Sequence, residues 1–287
     1  MRITSLLVIL CSVVLTSTVF AQPNENHWDS RFRACGVYAQ QVIEDGDSLY
    51  IRGYMSHDSR MAAQPLLWDG NEWSSLNAIS EDNKRRVYKL LLHGDDLFMM
   101  GTFDTLDDGT VAKNIARWSK TDQKWYPLGE GLPGLIAETD MVADNRHLYV
   151  LGYTHTAPRA WGVIMQWSFA QQSWKQIATI SNNKYQNTPE PRQLMLKGDS
   201  LFVIGMFDTV NNVRAHNIAF YHINDTVWHP FGDSLTGSKF GWENRLRSIV
   251  AGNGDTLYVS GSFLTDGKQT LRNIALWDGA GWKPVGQ

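Results

Sequence analysis

The residues of this chain best suited to chemistry are scattered, and their types favour recognition over bond-making. Arg159, Asp208, Arg214 and His216 offer charged and titratable groups, and Trp161, Tyr185 and Trp242 offer aromatic faces of the kind on which sugar rings stack. Catalysis would need such groups at spacings that unite a nucleophile, a base and an anion-stabilising donor. The sequence holds no His-Glu-x-x-His, no Gly-x-Ser-x-Gly, no phosphate-cradling glycine loop and no cysteine pair outside its first residues. The stretch Asp104-Thr105-Leu106-Asp107-Asp108-Gly109 has carboxylates for a calcium ion, but it lacks the ligand alternation and closing glutamate of a calcium loop. It reads as a solvated turn, so no metal and no cofactor are expected. Asp104 and Asp208 each follow a Phe and precede a Thr, a repetition that favours a turn role over acid-base work. Asn114, Asn217 and Asn273 recur in the same way.

That repetition is the organising fact of the chain. Five copies of one pattern run through it, each with a Leu followed four residues later by Gly: Leu49/Gly53, Leu97/Gly101, Leu148/Gly152, Leu201/Gly205 and Leu257/Gly261. An aromatic follows the Leu in every copy. Further on comes an aromatic pair, Trp68/Trp73, Trp118/Trp125, Trp167/Trp174, Tyr221/Trp228 and Trp277/Trp282, which takes nine of the twelve tryptophans. Successive glycines are 48, 51, 53 and 56 residues apart, the period of a four-stranded repeat unit. Within a copy, apolar runs such as Leu201-Phe202-Val203-Ile204 suit strands buried on both faces. Gly46-Asp47, Gly94-Asp95, Gly198-Asp199 and Gly254-Asp255 mark tight hairpins before the second strand, and Asp69-Gly70 and Asp278-Gly279 mark them before the fourth. The repeated Gly is expected where a side chain would crowd the adjacent strand or the backbone must bend.

The run Leu201 to Gly205, with Tyr221 and Trp228 seven residues apart, resembles the kelch repeat, although only one glycine of the kelch pair is kept. Asn273-Ile274-Ala275-Leu276-Trp277-Asp278-Gly279-Ala280-Gly281-Trp282 is similar to the repeats of exported bacterial propeller proteins of unknown function, which are related to fungal polarity-marker propellers. His27-Trp28-Asp29-Ser30-Arg31-Phe32 is similar to the segment before their first blade. The resemblance implies an all-β propeller. Counting copies gives five blades of four antiparallel strands, at about 37–78, 87–130, 135–180, 192–233 and 246–287, within a single domain over 37–287; residues 22–36 are too short for a sixth blade. This lead-in is a candidate strand for latching the ring. The first and third copies lack Asn-Ile-Ala, so distortion is expected there.

Composition agrees with a globular protein and narrows the partners. The chain of 287 residues has a formal net charge of −3 and is 19% charged, which gives no footprint for nucleic acid. Arg2, the apolar run Leu6 to Leu15 and Val19-Phe20-Ala21 read as a cleaved signal over residues 1–21, implying a secreted or periplasmic protein with no membrane span after signal removal. Cys11 leaves with the signal, so Cys35 stands alone and is expected to be inert.

The segments after strands two and four are long, including Met55 to Ala63, Asp104 to Lys113, Thr154 to Gly162, Asp208 to His216 and Leu264 to Arg272, whereas those after strands one and three are short. Functional residues concentrate on long loops held by a rigid scaffold. Trp161, Trp242, Tyr185, Arg159, Arg214, Asp208 and His216 are therefore the candidate ligand-binding residues. The expectation is a binding or scaffold module for a glycan, peptide or surface protein. The alternative is a glycan-active enzyme with carboxylates around a central channel.

Overall fold

The computed structural model describes residues 36–57, 60–62, 65–79, 86–156, 159–182, 189–237 and 244–286, and every regular element among them is a strand. The expected signal and nearly all of the lead-in lie outside the described residues. Each copy of the repeat forms one antiparallel sheet. Sheet I holds β1 (Gly36–Asp45), β2 (Ser48–His57), β3 (Arg60–Ala62), β4 (Pro65–Trp68) and β5 (Trp73–Ser75), and sheet II holds β6 (Arg86–His93), β7 (Asp96–Thr102), β8 (Ile115–Ser119) and β9 (Lys124–Pro127). Sheet III begins with β10 (Leu135–Ala143), β11 (His147–Thr156), β12 (Arg159–Ser168) and β13 (Ser173–Ser181). Sheet IV follows with β14 (Glu190–Lys197) and β15 (Ser200–Met206); then β16 (Thr209–Val210) and β17 (Val213–Arg214) cross to the edge of β13, and β18 (Ile218–His222) and β19 (Val227–Pro230) complete sheet IV. Sheet V is β20 (Arg245–Ala251), β21 (Leu257–Ser262), β22 (Ile274–Trp277) and β23 (Trp282–Pro284). These sheets fall into two compact units, Met1–Pro133 with sheets I and II, and Gly134–Gln287 with sheets III to V.

The repeated residues explain the repeated geometry. In each copy the aromatic pair is a direct cross-strand pair, with ring centroids 5.2 to 5.4 Å apart in all five sheets. Aromatic cross-strand contacts of this kind fix register as well as burying area. The repeated Gly stands opposite the start of a bulge in the first strand, between Ala39 and Gln41, Val87 and Lys89, Glu138 and Asp140, Pro191 and Gln193, and Leu246 and Ser248. A Cβ on Gly101, Gly205 or Gly261 would fall closer than 3.0 Å to the carbonyl oxygen of Arg86, Glu190 or Arg245 across the ladder. Crowding, the first of the two reasons offered by the sequence, is the operative one.

Apolar cores lie between successive sheets of each unit. Leu90, Leu97, Met99 and Phe103 of sheet II pack with Tyr50, Leu76 and Ile79 of sheet I; Tyr149, Ile164 and Ile180 of sheet III pack with Leu201, Val203 and Phe207; and Phe202, Ile204 and Ile218 of sheet IV pack with Leu257, Val259 and Phe263. Three kinds of hydrogen bond stitch the same junctions. The side-chain amide of Gln41 pairs with both N and O of Leu90 (2.9 and 2.7 Å), Gln193 does so with Ile249 (2.9 and 3.1 Å), and Asp140 accepts from Leu194 N at 2.9 Å. The indole N–H of Trp125, Trp228 and Trp282 donates to the carbonyl of Leu76, Ile177 and Asp233 in the preceding copy, at 2.8, 2.9 and 3.0 Å. The connection after the second strand also reaches back, with Asp107 N donating to Ala78 O, Asp208 N to Ser181 O and Thr236 N to Thr265 O.

Candidate functional site

Two kinds of connection follow the second strand, and the asparagines decide which forms. Asn114, Asn217 and Asn273 sit at φ of 66°, 70° and 71°, a left-handed conformation that Asn tolerates better than most residues. Each donates its backbone N–H to a Phe carbonyl and accepts from the repeated Gly, so the chain is turned back into strand three at a fixed point. The Oδ1 of Asn217 also accepts from Phe207 N at 3.0 Å. The first and third copies lack this Asn, and there the hairpin ladder simply continues. Strand β11 pairs with β12 up to Thr156 and Arg159, and β2 pairs with β3 up to His57 and Arg60. The expected distortion of those copies is therefore an extension, and Met55–Ala63 and Thr154–Gly162 are largely strand, not loop.

This extension assembles part of the predicted site. Gly162 pairs with Ile180, Ile180 with Val210, and Val210 with Val213; Ser181 pairs with Thr209 and Thr209 with Arg214. Continuing that register by one residue puts Trp161 in line with Ser181, Thr209 and Arg214. Residues in one row across a sheet project to the same face. Trp161 and Arg214 thus share a face three strands apart, about 14 Å at the usual strand spacing. Trp161 is half-buried and Arg214 exposed, and the Arg214 guanidinium has no ion pair among the described residues. Asp208 is half-buried and accepts from Thr209 Oγ1 at 2.9 Å, while its main-chain oxygen accepts from Ala215 N. His216 is exposed beside it. Arg159 contributes backbone pairing with Thr156, and its side chain, together with Tyr185 and Trp242, lies outside the described residues.

The connections after strand two are partly structural. Leu106, Ala112, Val210, Ala215 and Leu271 on the connections after strand two are buried, so these segments cap the junctions beneath them. The carboxylates with displaced pKa values are turn anchors. Asp69 is held low by the amides of Glu72 and Asn71, Asp278 by those of Ala280 and Gly281, and Asp108 by Thr110. A carboxylate kept ionised by amides is a poor proton donor. Burial lowers His147 below its ordinary value, against the pull of Asp144, and pushes the Tyr153 phenol up to about 12, helped by Glu190. Among the described residues no group of three or more His, Cys, Asp or Glu is placed to hold a metal ion.

A concave feature elsewhere escaped sequence reasoning. A cleft of about 590 Å³ opens between sheets IV and V at the tight-hairpin end, lined by Lys197, Ser200, Phe202, Phe231, Asp255, Leu257 and Trp277 with glycines 198, 254 and 279. The only sequence signal for it is the short Asp278-Gly279 turn.

No protein-family pattern matches the chain, and no curated protein matches it. Among solved structures it is similar to an oligogalacturonate lyase in complex with manganese (12% identity, 76% of this chain and 60% of that one, TM-score 0.44). It is also similar to a Bombyx mori GH32 β-fructofuranosidase in complex with sucrose (14% identity, 83% and 60%, TM-score 0.38) and to a Bacteroides ovatus glycosyl hydrolase (11% identity, 87% and 85%, TM-score 0.35). The chain spans about three fifths of the length of the first two. No helix among the described residues is long and apolar enough to cross a membrane.

Proposed function

We propose that the five sheets are the blades of a kelch-like β-propeller, exported by residues 1–21, that serves as a binding or scaffold module for a glycan. Support for the propeller comes from the five-fold recurrence of one meander and from the stitches repeated at the three junctions between successive sheets within the units. The binding reading is carried by one observation: Trp161 and Arg214 stand in a single row on one face of the six-stranded sheet, an aromatic ring and a cation about 14 Å apart. Aromatic and Arg side chains so placed carry a disproportionate share of binding energy. Binding is favoured over catalysis because the carboxylates with displaced pKa values are anchored in turns.

The test is a glycan array probed with the mature protein. Binding that weakens at least about tenfold in Trp161→Ala and in Arg214→Ala, with unchanged melting curves, supports the reading. Binding that persists in both variants overturns this face as the site. Trp242→Ala and Tyr185→Ala extend the map to the remaining aromatics.

A further inference from the structure

We propose that the cleft between sheets IV and V is a binding site for a single saccharide ring, separate from the row of Trp161 and Arg214. Its existence follows from one position in the repeat, two residues beyond the strand-three aromatic. At the junction of sheets I and II this position is Lys120, whose Nζ crosses the gap to Asp45 Oδ2 at 2.9 Å. At the junction of sheets III and IV it is Ile223, buried in the core with Tyr149 and Ile177. Both side chains plug the space between neighbouring sheets. At the junction of sheets IV and V it is Gly279, which has no side chain to fill the space, and the crossing cation is instead Lys197 at the rim of the cleft.

The cleft is walled by aromatic rings. Phe231 and Trp277, both half-buried, meet at 4.8 Å between ring centroids, and Phe202 packs edge-on against Phe231 at 5.2 Å. At about 590 Å³ the cleft lies in the range of small-molecule pockets. Its rim carries groups of both signs. The Lys197 ammonium donates to Thr256 O at 2.8 Å and Gly252 O at 3.3 Å, which holds it at the edge, with the Ser200 hydroxyl and the exposed Asp255 carboxylate nearby. A neutral ring bearing several hydroxyls satisfies such a site: its C–H face stacks on the aromatics while its hydroxyls donate to Asp255 and accept from Lys197. A charged ligand would be opposed by one of the two, and a bare aromatic ring would use neither.

The experiment follows the Trp277 indole N–H by nitrogen-15 NMR, assigned with Trp277→Phe, while the methyl glycosides of glucose, galactose, mannose, xylose and N-acetylglucosamine are titrated into the mature protein. Phenol serves as the hydroxyl-poor ring. The expected result is a saturable shift of that resonance by at least one glycoside at about 10 mM or below, weakened about tenfold or more by Ser200→Trp, which fills the cleft. Should that variant fail to fold, Asp255→Ala on the exposed turn must weaken binding instead. The proposal is overturned if no glycoside moves the resonance, if phenol alone does, or if the folded filling variant binds as the wild type does. Trp161→Ala and Arg214→Ala leave the shift intact, so loss of the other site is not loss of this one.

Discussion

At the residue scale, the repeated glycine is a steric requirement, and the consequence is measurable. Gly205→Ala places a methyl against the main chain of Glu190 and Pro191, and neither is the end of a flexible side chain that could swing away. The ladder must shift instead, at a cost of about 1–3 kcal/mol or more, read as a lower midpoint in denaturant. The same substitution at Gly46, an open turn position, meets no neighbour and carries only the strain of its positive φ. A Gly205→Ala variant no less stable than Gly46→Ala would refute the steric account. Tyr153 gives a second residue-scale test. Its phenol donates to Pro191 O at 3.1 Å, and burial lifts its pKa to about 12 from an ordinary value near 10. The folded state therefore favours the protonated phenol. The stability this supplies is intact below about pH 10 and is lost as pH rises through about 12. Alkaline unfolding should begin at higher pH in Tyr153→Phe than in the wild type.

At the element scale, the fourth strand of the second, fourth and fifth copies is joined to the preceding copy by one indole. Trp228 is buried and its indole donates to Ile177 O, so truncation removes both packing and a hydrogen bond. Trp228→Ala should cost about 3–5 kcal/mol, and Trp228→Phe, which keeps most of the packing and strands the carbonyl, about 1–3 kcal/mol. Equal melting points for the two variants would remove the hydrogen bond from the explanation. The four-strand order of sheets II, IV and V, the tight hairpins and the aromatic pairs were legible in the sequence because each rests on local chemistry: a glycine that admits positive φ, or two large rings a fixed number of residues apart. Trp73 and Trp174 show the limit, since each keeps its ring pair, with Trp68 and Trp167, yet is only half-buried, unlike Trp125, Trp228 and Trp282. Burial depends on what covers a strand, which spacing does not encode. The missing Asn-Ile-Ala was visible, but its effect was not: absence of a left-handed stop lets a ladder run on, and the crossing of β16 and β17 to β13 then widens sheet III. The cleft was invisible for a related reason. It is defined by a side chain absent at Gly279, and only comparison with Lys120 and Ile223 in folded neighbours reveals the vacancy.

At the scale of the whole molecule, the proposed ring has one junction unlike the rest. Successive copies are covalently linked, so each junction within a unit forms its side-chain and indole bonds between segments already held close, at little loop-closure cost. The junction between the fifth copy and the first has no such link in a closed ring. In such a ring, opening would begin there unless another segment covered the free strand edges. The lead-in over residues 22–36 is the segment available, and Trp28 and Phe32 give it apolar weight. If it latches the ring, deleting Pro23 to Cys35 from the mature chain removes the closing contacts. A loss of about 2 kcal/mol would lower the thermal midpoint by about 4–8 °C in a protein of this size. Opened strand edges would then promote association, so the deletion variant should also shift toward oligomers in light scattering as concentration rises. A variant that melts with the wild type and stays monomeric would show that the lead-in closes nothing, and that any ring is held by the blade-to-blade stitches alone.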